Sequence, residues 1–363
     1  MTDQAGGAGM TSDELGTRLF EACLGAFDVF SVYLGDRLGY YRALAAVDSV
    51  TSDQLAQATD TAERYAREWL EQQAMTGFLL VEDTGSAPSE RRYQLPPAHA
   101  EVFTDRDSLG YLAPAAVATA AAGVQLPAVA DAFRNGGGVS WSVFGNDMRD
   151  AQGEMNRPLL LHVLGHEWLP QIPDVHRRLS SAGARVADIG SGQGWSAIGI
   201  ASAYADATVD GYDVDEPSIA TARRHAEEHH VTDRVSFHVA DASRTTAAGY
   251  DLVIAVECIH DMPDPVAVLA QMREMVADDG VVLVVDERTA DAFQPSGDPM
   301  ERLLYGFSVT TCLPDGLSTD ASVGTGTVMR RGTLHAYATE AGFEDVEVLP
   351  IEHDQFRIYR LVR

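Results

Sequence analysis

The sequence contains no lysine. All 26 of its basic residues are arginine, against 54 aspartates and glutamates, for a formal charge of −28 over 363 residues. A surface this negative repels nucleic-acid phosphates and anionic lipid, which argues against both as partners. A GC-rich genome would favour arginine over lysine, but the size of the acid excess points further, to an acidic proteome in a salty cytoplasm that screens carboxylate repulsion. Cysteine is scarce. Cys23, Cys258 and Cys312 have no CxxC spacing, which excludes a disulfide framework and a cysteine-built zinc site. Long apolar runs are missing too: the stretch Leu112 to Ala130 is mostly alanine, interrupted by Pro114, Gly123 and Pro127, and makes a poor membrane span. The opening MTDQAGGAGMTSDEL lacks the basic start and apolar run of a secretion signal. The expectation is a cytoplasmic, enzyme-sized protein, and 45% hydrophobic residues are enough to fill a sizeable core.

The length suggests two domains, and the patterning divides accordingly. Residues 1–14 are small and polar, a mobile tail. Residues 15–110 start with helical spacing from Asp13 to Leu34, including Phe27, Phe30 and Tyr33. A helix over Arg37 to Ala46 follows, then TSDQLAQAT and TAERYAREWLEQQAMTG, with Thr51 and Asp60 as N-caps and Gly77 as a stop. The strand-like GFLLVED and RRYQL complete the order of a mainly α winged helix. Its would-be recognition helix sets Arg64 and Arg67 against Glu63, Glu68 and Glu71, a poor match for a phosphate backbone, so a dimerisation or lid role is expected. Residues 111–180 read as a helical connector. From 181 to 363, β-rich runs (ARVADIG, ATVDGYD, RVSFHVAD, YDLVIAV, GVVLVVDE) alternate with amphipathic segments, as in a Rossmann-like α/β sheet covered on both faces. FEDVEVLP and QFRIYRLV are too close for a crossover helix, so they form an antiparallel hairpin and reverse the last strand of a seven-stranded sheet.

The first of these strands runs into Asp188-Ile-Gly190-Ser191-Gly192-Gln-Gly194-Trp195. Glycines here allow a tight turn and close backbone approach to a ligand. The dinucleotide fingerprint needs glycine where Trp195 stands, and the Asp188 carboxylate would repel a pyrophosphate. It suits a cationic ligand such as the amino group of a methionyl tail. Asp213, followed by Val214, ends the second strand, where two oxygens can accept both ribose hydroxyls. Asp241 and Ala242 follow the third strand, where an acceptor meets the adenine amine, and Val256 closes the fourth. A lone Asp in such a loop is commonly a helix cap. Three at successive strand ends, beside a glycine turn and ahead of a reversed hairpin, form a joint signal.

In VADIGSGQG, GYDVDEPSI, VADAS and the terminal hairpin, residues from about 155 to 363 resemble the class I S-adenosylmethionine-dependent methyltransferases. With the winged-helix front end, NRPLLLHVLGHEWLP, GWSAI, ECIHDMPDPV and YGFSVTTCLPDGL resemble a subfamily typified by mycobacterial methyltransferases of unassigned substrate. The architecture is also similar to dimeric small-molecule O-methyltransferases. The resemblance implies S-adenosyl-L-methionine as cofactor, S-adenosyl-L-homocysteine as product, a small-molecule acceptor and a homodimer. In those O-methyltransferases an HDW motif carries the catalytic His. The matching residues here are His260-Asp261-Met262, so His260 is the expected general base, with Asp261 or Glu257 orienting its imidazole; otherwise His260 caps a helix or lines the methyl site.

His166 with Glu167, Trp168 and Tyr33 are further candidates for acceptor contact, weighed against packing roles. The run Arg223 to His230 puts His225 and His229 on one helical face, but HExxH fails at Ala226 and two ligands do not close a site, so no metal is expected. An insertion at about 290–329, rich in Gly and Pro, is read as a cap over the crevice that joins the front domain as a lid. The expected reaction is methyl transfer to oxygen. Nitrogen or carbon acceptors, or a cofactor-sensing winged-helix regulator, are the alternatives.

Overall fold

Helix α1 (Ser12–Arg37) starts at Thr11, whose hydroxyl accepts the Glu14 N–H while the Glu14 carboxylate accepts the Thr11 N–H at 2.7 Å. This reciprocal cap satisfies two otherwise orphaned donors, so the helix begins inside the stretch expected to be a tail. The structure is a computed structural model and describes residues 9–295 and 298–363; the first part of the expected tail lies outside the described residues. Gly39, at φ +73°, splits the helix expected over Arg37 to Ala46 and leaves α2 (Tyr40–Ala45). Thr51 caps α3 (Ser52–Thr59) together with Gln54, as expected. Asp60 does not cap α4 (Glu63–Met75). It closes α3 in the left-handed region at φ 53°, a conformation its short polar side chain tolerates, and α4 starts from Ala62. Gly77, at φ +79°, follows the end of α4.

Strands β1 (Leu80–Glu82) and β2 (Arg92–Gln94) pair antiparallel as the wing, followed by α5 (Pro97–Thr104). Tyr40, Tyr41, Leu44, Leu55, Leu70 and Tyr93 fill the core of this unit. On α4, Arg64 pairs with Glu68 at 2.5 Å and Arg67 with Glu63 at 3.3 Å. The apolar stripe of α1 is largely solvent-facing: Leu19 is 65% and Phe27 64% exposed.

Helix α6 (Ala113–Val124) crosses the boundary between two compact units, one ending at Ala120 and the other running from Ala121 to Arg363. The second unit continues with α7 (Leu126–Asn135) and with α8 (Trp141–Leu159), which passes into a π-helix at Leu160–Trp168; α9 (Pro173–Leu179) follows. No single helix among the described residues is long and apolar enough to cross a membrane.

The sheet contains β3 (Arg185–Ile189), β4 (Thr208–Asp213), β5 (Val235–Val239), β6 (Tyr250–Val256), β7 (Val276–Glu287), β8 (Asp345–Val348) and β9 (Phe356–Val362), in the order β5-β4-β3-β6-β7-β9-β8. β9 runs antiparallel to both its neighbours, which is the reversed strand expected from the short terminal connection. Its apolar central strands, with Val253, Ile254 and Ala255 fully buried, require cover on both faces. The π-helix, α9, α10 (Trp195–Ala203) and α11 (Glu216–Glu228) supply residues to one core cluster. On the other face are α12 (Pro265–Met275) and, beyond α13 (Pro299–Phe307) and α14 (Leu313–Gly316), helix α15 (Arg331–Glu340). The chain proceeds outward from β3 to β5 and then returns to β6 beside β3. Such a reversal opens a crevice at the carboxyl ends of the strands.

Candidate active site

The glycine turn after β3 is built from left-handed residues: Gly190, Gly192 and Gly194 have φ of 67°, 50° and 86°. The N–H groups of Gly190 and Ser191 donate to the Tyr212 carbonyl at 2.9 and 3.0 Å, tying the turn to β4. Nothing lies within 4 Å of where a Gly192 Cβ would stand, so this backbone is open to a ligand. Asp213 is joined to the same turn: its carboxylate accepts from Gly192 N–H and Asp215 N–H, each at 2.8 Å. Each oxygen retains a lone pair for a further donor. Burial raises its pKa.

Asp188 is 1% exposed. Its Oδ2 accepts from the Ser196 hydroxyl at 2.5 Å, and its Oδ1 has no hydrogen-bond partner, nor does the buried Ser191 Oγ. Burial, reinforced by the nearby Asp213 charge, pushes the Asp188 carboxyl up to about 7. A buried, unsatisfied carboxylate oxygen beside an open glycine turn and a diol-capable Asp213 fits a ligand with a cationic tail and a ribose. Asp241 caps a 3-10 turn at Ala242–Arg244 and accepts from Ser243, so the cap function weighed from sequence is present; Ala242 is buried, Val256 half-buried and Val214 exposed.

Helix α8 braces these loops. Arg149 holds Asp215 with two hydrogen bonds of 2.8 and 3.0 Å, Gln193 donates to Asp150, and Asn156 is hydrogen-bonded to Glu257.

His260 follows β6 and is 2% exposed. The residue orienting it differs from expectation. Asp286 Oδ1 lies 2.8 Å from Nδ1 and Glu287 Oε2 3.1 Å, whereas Asp261 is on the other side, 3.4 Å from Nε2, and Glu257 is engaged by Asn156. The parallel pairing of β6 with β7 explains this, because it sets the end of β7 alongside the His260 turn. Burial disfavours the imidazolium, but Asp261, Glu287 and Asp286 together outweigh it and raise the His260 pKa well above the usual value. Burial also acts against ionised Asp286, yet the His260 charge holds that carboxyl below its ordinary range; burial drives Glu287 the other way, well upward.

The expected cap segment packs on this turn. Gly326 N–H donates to the His260 carbonyl and Val323 N–H to the Pro263 carbonyl, and the Cys312 thiol is hydrogen-bonded to both His260 and Asp261. Asp315, on α14, accepts the Trp141 N–H at 2.6 Å and faces Asp261; burial and that neighbour raise it to about 7.

Other sequence candidates lie elsewhere. Trp168 is buried in the core against His353 and Phe356, at ring distances of 5.1 and 6.3 Å. His166 is exposed on the π-helix, and Tyr33 is half-buried in the first unit with Arg37 over its ring. His225 stacks on Trp195 at 4.1 Å and His229 meets the same ring edge-on. Asp286, Glu287, Asp315, Cys312, Arg149 and Asn156 were missed. Only Asp286 and Glu287 carried a usable signal, as acids at the end of the next strand.

Residues 180–304 match the family described as a methyltransferase domain, and residues 27–105 the Rv2258c-like winged HTH domain. The chain carries a methyltransferase domain behind a winged helix-turn-helix domain. The crevice described above lies within this methyltransferase domain. A curated relative, 27-O-demethylrifamycin SV methyltransferase of Amycolatopsis mediterranei, is 33% identical over 171 residues, 45% of this chain and 55% of that protein. The chain spans about half the length of the first curated relatives it matches, 55% and 42%. Among solved structures, human N-acetylserotonin methyltransferase in complex with SAM has a TM-score of 0.69 at 17% identity, covering 98% of this chain and 99% of that one. Mitomycin 7-O-methyltransferase MmcR gives 0.68 at 20% identity, covering 96% and 98%. At these identities the two structures establish the shared fold.

Proposed function

We propose that this protein is an S-adenosylmethionine-dependent methyltransferase that methylates an oxygen of a small-molecule acceptor in the cytoplasm and works as a homodimer. The observation that carries this reading is the pairing of a nucleoside-shaped cradle at the ends of β3 and β4 with an imidazole–carboxylate dyad, His260–Asp286, at the ends of β6 and β7. When bound, the cofactor supplies an electrophilic methyl on a sulfonium.

The residues of the chain do the rest. Asp188 faces the cationic tail, Asp213 takes the ribose hydroxyls, and Asp241 with Ala242 lies on the adenine side. The backbone of Gly190, Ser191, Gly192 and Gly194 forms the floor, with Val214 and Val256 as apolar walls. Asp286 accepts Nδ1–H, so Nε2, which faces Asp261 at 3.4 Å, is the nitrogen left to take the acceptor's hydroxyl proton. Because the neighbouring carboxylates raise the His260 pKa, the neutral imidazole gains population as pH rises, and kcat/KM rises with it. An oxygen acceptor is favoured because a hydroxyl is the nucleophile that most needs such a base. The second copy is accommodated by the exposed α1 stripe of Leu15, Leu19, Phe27 and Leu34. A DNA-binding role is disfavoured, since the α4 arginines are occupied by their own glutamates.

The test is transfer of labelled methyl from S-adenosylmethionine to a panel of phenols. Transfer is expected, with His260→Ala slower by about 10²–10⁴-fold. Unchanged turnover in that variant would remove His260 from the chemistry.

A further inference from the structure

Glu257 stands in a conformation that its residue type avoids. Its φ is 49°, in the left-handed region that glycine, asparagine and aspartate reach far more readily than glutamate. Such strain persists only where surrounding contacts hold it, and it gathers at functional sites. Two contacts hold it here. The Glu257 N–H donates to the Val285 carbonyl at 2.8 Å, and the Glu257 side chain is hydrogen-bonded to Asn156 of α8. The bend sets the place of the base. β6 and β7 pair in parallel as far as Val256 beside Val285, so one more residue of strand would set Glu257 beside Asp286, two carboxylates on neighbouring strands. The left-handed turn takes Glu257 out of that register. The chain then passes through Cys258 into the 3-10 turn Ile259–Asp261, and it is His260 that meets Asp286, at 2.8 Å.

A backbone bend alone does not call for a glutamate. Helix α8 also holds Asp215 through Arg149 and Gln193 through Asp150, so its Asn156 joins the base turn to the element that braces the cofactor loops. Gly153, three residues before Asn156, permits that close approach, because a Cβ there would collide with the Gln193 side chain. We propose that Glu257 is a positioning residue for methyl transfer, its side chain tethering the His260 turn to α8 and so fixing the base relative to the methyl donor. This rests on the methyl-transfer reading above. Glu257 thus acts on the main chain of the turn, and Asp286 on the imidazole.

The test separates the bend from the tether. Glycine adopts left-handed backbone freely, so if the bend were the whole role, Glu257→Gly would be as active as the wild type. Glu257→Gln keeps an oxygen for Asn156, and Asn156→Ala removes the other end of the bond while leaving the backbone at 257 untouched. Each full-length variant is measured for melting temperature, for S-adenosylmethionine affinity by calorimetry and for labelled-methyl transfer to the phenol panel. Turnover should fall about tenfold in Glu257→Gly and Asn156→Ala, because reacting groups held less closely react more slowly, with cofactor affinity unchanged. Glu257→Gln should stay close to wild type. A second reading needs no acceptor: the low-field NMR signal of the His260 Nδ1 proton, in protein saturated with S-adenosylhomocysteine. It should be sharp in the wild type and Glu257→Gln and broadened by exchange in the other two. Full turnover or an unchanged proton signal in Asn156→Ala overturns the proposal, as does a loss of cofactor affinity as large as the loss of turnover. Failure of S-adenosylmethionine to bind the wild type would instead strike the methyl-transfer reading beneath it.

Discussion

Replacing Asp286 with Asn tests the catalytic arrangement in the most detail. The carboxylate is 1% exposed, its Oδ1 lies 2.8 Å from His260 Nδ1, and the replacement keeps shape while removing charge. A hydrogen bond to a charged group contributes about 1.5–3 kcal/mol. If it is made in full only when the imidazolium forms, its loss slows turnover by roughly 10- to 150-fold. The loss should stop short of that for His260→Ala, because Glu287 remains 3.1 Å from the same nitrogen. The pH profile supplies an independent sign. Asp286 is one of three carboxylates holding the imidazole pKa up against burial, so removing it lowers that pKa and moves the rising limb of kcat/KM to lower pH, even as the plateau falls. The assay is initial-rate methyl transfer from neutral to alkaline pH, with the His260→Ala/Asp286→Asn double variant as control. The double variant should be no slower than His260→Ala alone, because the two residues act as a unit. A variant with full activity and an unmoved limb would refute the dyad.

Other expectations follow from the same geometry. Arg149→Ala leaves the 15%-exposed Asp215 without its two-bonded partner and should cost about 3–5 kcal/mol, read as a lower midpoint in urea unfolding. Asp188 has a folded pKa of about 7 against an ordinary 3.8, so the stability tied to its proton is present in acid and lost as pH rises through about 7. Asp188→Asn should therefore show a shallower fall in melting temperature from acid to neutral pH, and an unchanged slope would count against it. Leu19→Ser with Phe27→Ser, on the exposed stripe of α1, should convert a dimer to a monomer by light scattering; a monomeric parent protein would remove the dimer proposal.

The parts of this architecture that were legible in the sequence are those with local causes. The Gly190–Gly194 turn announces itself by composition, Asp188 and Asp213 by their places at the ends of apolar runs, and reversed β9 by a connection too short to cross over. The glycine break at Gly39 and the left-handed turn at Asp60 were misjudged because both residues serve two local roles, and backbone conformation decides between them.

The dyad was not legible for a different reason. His260 and Asp286 are 26 positions apart and meet only through the β6–β7 register. Arg149 and Asp215 are 66 apart, and Asp315 reaches the site through the cap, whose packing on the Pro263 turn no periodicity encodes. Long-range side-chain pairs need the topology first, and even then the choice among Glu257, Asp261 and Asp286 as partner to one imidazole rests on ångström-scale geometry.

We propose that the strand-end carboxylates Asp188, Asp213 and Asp241 form a cradle for S-adenosylmethionine. Calorimetric titration of the wild-type protein and of Asp213→Ala with S-adenosylmethionine, and then with S-adenosylhomocysteine, tests it most directly. Micromolar binding to the wild type is expected, weakened by about tenfold or more in the variant, because both ribose hydroxyls lose their acceptor. No binding to folded wild-type protein, or equal affinity in the variant, would contradict it.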